Sequence, residues 1–187
     1  CGCFQSEKYF KNKYHEICKI LEIQKQRETI KNEYSYIFNK KIISIHFRLG
    51  DYLRLSNSHP VKPINYYINS LHYLSQNINL QDYKILCFGE KQNNKLILEK
   101  IDILKKNFPN IFFEIIDYAI EDYKQMFLMS CCEHNIIANS TFSWWGAYFN
   151  DNLEKIVCIP ETWFGPKLKY YNTKDLYPKE WIKISDT

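Results

Sequence analysis

Short β-branched and aromatic runs alternate with amphipathic stretches along this chain, and few folds accept that order. Lys41 to Phe47 reads Ile42, Ile43, Ser44, Ile45, His46, Phe47 and stops at Gly50-Asp51, which predicts a buried strand feeding a loop. Further strands are expected at Tyr83 to Phe88, ending on Gly89-Glu90, at Ile111 to Ile116, at Asn135 to Ala138, and at Ile156 to Ile159 before Pro160. Helices are expected between them: one capped by Asn65 with Tyr67, Ile68, Leu71 and Leu74 on its apolar face, then Asn93 to Lys106, Asp122 to Cys131 and Phe142 to Phe149. The order predicts an α/β fold, a Rossmann-like parallel sheet with helices on both faces. Upstream, Phe10, Tyr14, Ile17 and Leu21 recur at three and four, giving an amphipathic helix from Ser6, its N-cap, to Ile23. Lys25 to Asn39 reads as more helix or a surface connection.

Bulk properties narrow the function classes. A chain of 187 residues suits one ordinary domain, and 45% hydrophobic with 25% charged residues is far from a disordered composition. The net charge of +4 comes from scattered Lys and Arg, a weak pointer to an anionic ligand. Tyr and Phe fall at core-like spacings instead of interleaving with a basic stripe, so no nucleic-acid partner is expected. No apolar run approaches the roughly 18 residues of a membrane span, so none is expected. Cys1, Cys3, Cys18, Cys87, Cys131, Cys132 and Cys158 form no CxxC pair and no ligand spacing with the five His. No zinc or other metal site is therefore expected, and thiols inside apolar runs read as buried and free. A reducing, cytoplasmic compartment follows.

In an open parallel sheet, ligands bind beyond the carboxyl ends of the strands. Three segments fall there. His46, Arg48 and Asp51 surround Gly50, and Arg is suited to a forked grip on phosphate; simple pairing of Arg48 with Asp51 is the alternative. Gly89-Glu90 reads as a turn, with Glu90 also able to accept hydrogen bonds from a ribose or a base edge. Asn139, Ser140, Thr141 and Ser143 precede Trp144-Trp145-Gly146 at a helix start, where hydroxyls and backbone N–H groups make an anion cradle. Capping by Ser140 or Thr141 alone is the competing account. Asn139-Ser140-Thr141 also fits a glycosylation acceptor, a reading set aside for an Asn emerging from a buried strand. One of Trp144 and Trp145 can face a sugar or base, since adjacent indoles project about 100° apart on a helix; Trp163 and Trp181 read as packing residues.

Two stretches then become recognisable. "SIHFRLGDY" from Ser44 to Tyr52 resembles the HxRRGDY signature of glycosyltransferase family 11, the α-1,2-fucosyltransferases, and "HNIIANSTFSWWGAYF" from His134 to Phe149 resembles that family's most specific segment. "GCFQSEKYF" at Gly2 to Phe10, "EDYKQMFLMSCCEHN" at Glu121 to Asn135 and "KIVCIPETWF" at Lys155 to Phe164 are similar in the same order. The resemblance implies a GT-B-like, inverting, metal-independent transferase that needs no cofactor. It would move fucose from GDP-fucose to a galactose-containing glycan, in the cytoplasm or at the membrane surface. On this resemblance Arg48 is catalytic, neutralising the pyrophosphate as GDP leaves. His46 lies near the nucleotide, Asn139, Ser140, Thr141 and Ser143 hold phosphate or fucose hydroxyls, and Asp51, Glu90 and Trp144 are further substrate contacts.

The sequence departs from the family pattern in three places. Leu49 replaces a second Arg, which implies one supporting charge fewer; Gly89-Glu90 replaces a Ser-Asp-Asp; and no Gly-rich opening segment is present. Residues 1–40 are accordingly expected to be a helical lead-in left from an acceptor-side domain, with 41–187 as the Rossmann-like GDP-fucose-binding domain. The alternatives are a non-catalytic GDP-sugar-binding module and an α/β domain with no nucleotide.

Overall fold

A computed structural model describes residues 5–187. Cys1, Cys3 and the Gly2 to Phe4 part of the first family-like segment lie outside the described residues. Six strands form one parallel sheet: β1 Lys41–Phe47, β2 Tyr83–Gly89, β3 Phe112–Ile115, β4 His134–Ile136, β5 Val157–Pro160 and β6 Ile182–Ile184. Their order is β3-β2-β1-β4-β5-β6, so the chain winds outward from β1 in one direction, then crosses to β4 and winds out in the other. The helices are α1 Tyr14–Ile20, α2 Ile23–Glu33, α3 Ile64–Asn77, α4 Asn94–Asn107, α5 Asp122–Ser130 and α6 Thr141–Tyr148. The expected α/β fold is present.

β1 is buried on both faces, and its alternation sorts the core into two layers. Ile43, Ile45 and Phe47 point to α3 and α4, packing with Leu71, Leu74 and Ile101. On the other face Ile42 joins Leu86 and Phe88 beneath α2 and α5. α6 covers the β4–β5 side, where Trp144 and Ala147 pack on Ile137, Val157 and Ile159, with Trp163 and Trp181 in the same cluster. A buried polar chain is satisfied internally at the β1–β4 seam: Asn135 donates to the Ser44 hydroxyl at 2.7 Å and accepts from Asn150 at 2.9 Å.

The expected Ser6 to Ile23 helix is divided. Two 3-10 turns precede α1, Ser6 makes no capping hydrogen bond, and the chain turns at Glu22, whose φ of 49° lies in the left-handed region, before α2 begins. The spacing of Phe10, Tyr14, Ile17 and Leu21 does not mark a buried face here: α1 has no buried residue and Leu21 is exposed. Ile23, Ile30 and Ile37 lie in the same core cluster as Ile42 and Phe127. The buried Arg27 guanidinium pairs with Asp151 and donates to the Ser130 carbonyl at 3.1 Å. Within the expected 1–40 lead-in, residues 23–37 pack on this sheet through Ile23, Ile30 and Ile37. β6 was not expected, because Ile182-Lys183-Ile184 is too short and too polar to stand out. The segment behind it is tied down by buried Lys62, which reaches Asp186 at 3.1 Å.

Candidate functional site

The winding of the chain changes side between β1 and β4, the place where loops leaving neighbouring strands of an open parallel sheet diverge. A cavity of about 820 Å³ opens at this place. Its lining comes from the ends of β1 and β2 (His46, Arg48, Asp51, Glu90), from the start of α6 (Asn139, Ser140, Thr141), and from the segment after β5 (Trp163, Phe164). Tyr52, His59, Asp122 and Gln125 complete much of the wall.

The β1 end is built on strand alternation. His46 and Arg48 face the cavity while Phe47 and Leu49 enter the core below α3, and the Tyr67 hydroxyl holds the strand end by donating to the His46 carbonyl at 3.0 Å. Leu49, only 2% exposed, does not line the cavity. The position at which the resemblance places a second Arg thus carries a core residue here.

Arg48 is held rather than open. Its guanidinium pairs with Glu90 on one nitrogen and Asp51 on another, and lies 4.8 Å from the centre of the Tyr52 ring. Glu90 also accepts from the Leu49 N–H at 3.4 Å. Gly50 makes the turn at a φ of 28°, and a Cβ there would stand 2.8 Å from the Glu90 carboxylate. Glu90 thus lines the cavity as the partner of Arg48. His46 is fully enclosed, against Phe142 at 5.5 Å, and burial together with the Arg48 charge pushes its pKa down to about 3. It is neutral at physiological pH.

The α6 residues divide. Ser140 occupies the N-cap position without making a side-chain cap bond, and Thr141 opens the helix; both line the cavity. Ser143 is fully buried, with its hydroxyl 3.4 Å from the Ala138 and Ser140 carbonyls, and Trp144 is fully buried, stacked on Tyr148 and donating to the Leu176 carbonyl at 2.8 Å. Neither lines the cavity, because a step of about 100° per residue carries them round to the sheet side. Trp145 is not a lining residue either, being packed on Phe10 and Phe149. Asn139 donates from its amide nitrogen to the Pro60 and Trp163 carbonyls, at 3.0 and 2.9 Å, so the loops after β1 and β5 meet at this side chain.

Sequence reasoning missed Tyr52, His59 and Phe164. His59 stacks on Tyr52 at 5.1 Å and meets Phe164 at 5.8 Å. The loop carrying it is pinned where Gly165 donates to the Ser58 carbonyl at 2.9 Å; a Cβ on Gly165 would fall 2.5 Å from the Asn57 carbonyl. Among the described residues, six buried side-chain polar atoms have no hydrogen-bond partner, and four of them, on Gln5, His46, His59 and Asn139, belong to residues of this one cavity. Core atoms are normally paired, so such clustering marks a surface shaped for a polar ligand. Among the described residues no three His, Cys, Asp or Glu side chains gather as a metal-ligand set. None of their helices is long and apolar enough to cross a membrane.

The fold is a Rossmann-like α/β unit, one parallel sheet with its cleft where the winding of the chain changes side. Among solved structures, ADP-heptose lps heptosyltransferase II of Escherichia coli superposes with a TM-score of 0.52 at 11% identity, over 85% of this chain and 42% of that one. The family model for glycosyl transferase family 11 matches residues 1–185, and the chain belongs to that family. Two curated relatives from Escherichia coli are the O-antigen biosynthesis glycosyltransferase WbnK and an alpha-1,2-colitosyltransferase. The first is 33% identical over 157 residues, 78% of this chain and 45% of that protein. The second is 31% identical over 193 aligned positions, 98% of this chain and 61% of that protein. The chain thus spans about half the length of the curated relatives it matches.

Proposed function

We propose that this chain is the donor-binding part of an inverting fucosyltransferase that moves fucose from GDP-fucose to a hydroxyl of a galactose-containing glycan, without a metal ion. The observation that supports this best is the meeting of Arg48 with the uncapped start of α6 in one cleft where the winding changes side. A guanidinium and a helix N-terminus are what a diphosphate leaving group requires. In the transfer, the acceptor hydroxyl gives its proton to a base and its oxygen forms a bond to the anomeric carbon while the bond from that carbon to the phosphate oxygen breaks. Charge grows on the diphosphate, and Arg48 with the α6 N–H groups would stabilise it. Neutral His46 would bound the site without adding charge.

A second donor is favoured by one finding: the relative named for colitosyl transfer aligns with 98% of this chain. A GDP-linked colitose, lacking one fucose hydroxyl, would occupy the same cleft. A non-catalytic GDP-sugar module is the reading to fall back on if the chain binds donor but transfers nothing. The location consistent with either is the cytoplasm, including the membrane surface.

Thermal shift tests the core of this reading. Saturating GDP or GDP-fucose should raise the melting temperature equally with Mg²⁺ and with EDTA, because a ligand that binds only the native state stabilises it by mass action. No shift under either condition overturns the donor-site reading. A shift that needs Mg²⁺ overturns its metal-free part, and radiolabelled transfer to lactose separates enzyme from module.

A further inference from the structure

The cavity's unpaired atoms differ in what they can accept. Asn139 uses both hydrogens of its amide nitrogen on the Pro60 and Trp163 carbonyls, which fixes the amide's orientation and leaves Oδ1 as the atom without a partner. An amide oxygen only accepts, so its complement is a hydroxyl or an N–H and not a phosphate oxygen. Next to it, the Tyr52 hydroxyl donates to the Asn139 carbonyl at 3.0 Å, and on the Tyr52 ring lies His59, whose buried Nδ1 is also unpaired. A neutral imidazole nitrogen can accept from or donate to a hydroxyl. Phe164 closes the group on the far side of His59. The result is a wall of aromatic faces carrying two unmatched polar atoms, beginning at the ring over which Arg48 lies.

We propose that His59 and Asn139 read the hydroxyl groups of the donor's hexose, with Tyr52, His59 and Phe164 packing against its C–H surface, so that this wall, and not the Ser140 and Thr141 hydroxyls, sets sugar specificity. The inference rests on the nucleotide-sugar reading above. A hexose offers a ring of hydroxyls interrupted by apolar C–H patches, and a deoxyhexose adds a methyl group; both suit aromatic rings flanked by neutral acceptors. The α6 end keeps the phosphates, because it offers N–H and hydroxyl donors.

The test is calorimetric titration of the chain with GDP and GDP-fucose, comparing the wild type with His59→Phe. Phenylalanine keeps an aromatic ring against Tyr52 and Phe164 and removes both ring nitrogens in a slightly larger ring, so the melting temperature should change little. Wild type should bind GDP-fucose more tightly than GDP, and His59→Phe should weaken GDP-fucose by about 2- to 10-fold while leaving GDP within about twofold. If GDP weakens in parallel, the wall reads the nucleoside and the proposal fails. It also fails if neither affinity changes. Should His59→Phe melt well below wild type, the imidazole nitrogen is structural; His59→Gln, which restores a hydrogen-bonding group, then decides by whether the fucose increment returns. Wild type that binds GDP with no added affinity for the sugar overturns the inference alone, whereas wild type that binds neither overturns the nucleotide-sugar reading with it.

Discussion

Arg48 meets two carboxylates before it meets any ligand. Arg48, Lys91, Asp51, Glu90 and Asp122 all line the cleft, and a diphosphate entering it would compete with the two carboxylates already paired to the guanidinium. Glu90→Gln should therefore tighten GDP by about fivefold, since a neutral hydrogen bond is weaker than a charge-assisted one by about 1 kcal/mol. Arg48→Ala should abolish measurable GDP binding, and Arg48→Lys should restore only part, because an ammonium lacks the fork. Titration calorimetry on the three variants checks this, and unchanged or weaker GDP binding by Glu90→Gln would make that carboxylate a support for the guanidinium instead of a rival to phosphate. The pairing of Arg48 with Asp51 was open in the sequence, since three positions separate them. Glu90 was not legible as its second partner: it sits on another strand, and only the parallel register of β1 with β2, which sets Phe47 opposite Gly89, carries it to the same loop.

Helix α6 separates two jobs that its sequence runs together. Ser140, Thr141, Ser143 and Trp144 read as one polar-aromatic cluster, yet Ser140 and Thr141 line the cavity while Ser143 and Trp144 are buried. Since Ser140 makes no capping bond, Ser140→Ala should cost less than the ~1 kcal/mol of an ordinary N-cap while weakening GDP binding. Ser143→Ala should leave GDP affinity alone, which melting curves and titration of the two variants compare. The far end of the helix is fixed by Lys155, whose ammonium donates to the Ala147 carbonyl at 3.0 Å and to that of Asn150. Burial pushes the Lys155 pKa down to about 8, where a cation still complements the helix C-terminus. The central strands were legible because β-branched runs bounded by glycine and proline leave little choice. Tyr52, His59 and Phe164 were not, because nothing in a loop sequence marks which aromatic will turn inward.

Across the whole molecule, two buried imidazoles set the response to acid. Burial pushes His46 down to about 3, with Arg48 adding to it, and His134 to about 4, with Lys41 adding. The unfolded chain takes up these protons near the ordinary histidine value of about 6.5 while the native state refuses them, so stability is full above that pH and falls as pH drops toward 4. Each group contributes up to about 1.4 kcal/mol per pH unit. Melting temperature should be level from pH 8 to 7 and decline progressively from pH 6.5 to 4.5; a level curve over the lower range would show that one or both imidazoles open to water in the native state. The strand order also bears on how the molecule comes into being. Wall residues come from the loop after β1, the end of β2, the turn into α6 and the segment after β5, and β4 lies beside β1, with β5 beside β4, only after the chain has passed through β2 and β3 on the other side. During synthesis from the N-terminus the cleft has no existence until Phe164 has left the ribosome, and contacts so distant along the chain form late and slowly. A ligand of this cleft would then act only on the finished sheet, trapping it against unfolding without guiding its assembly.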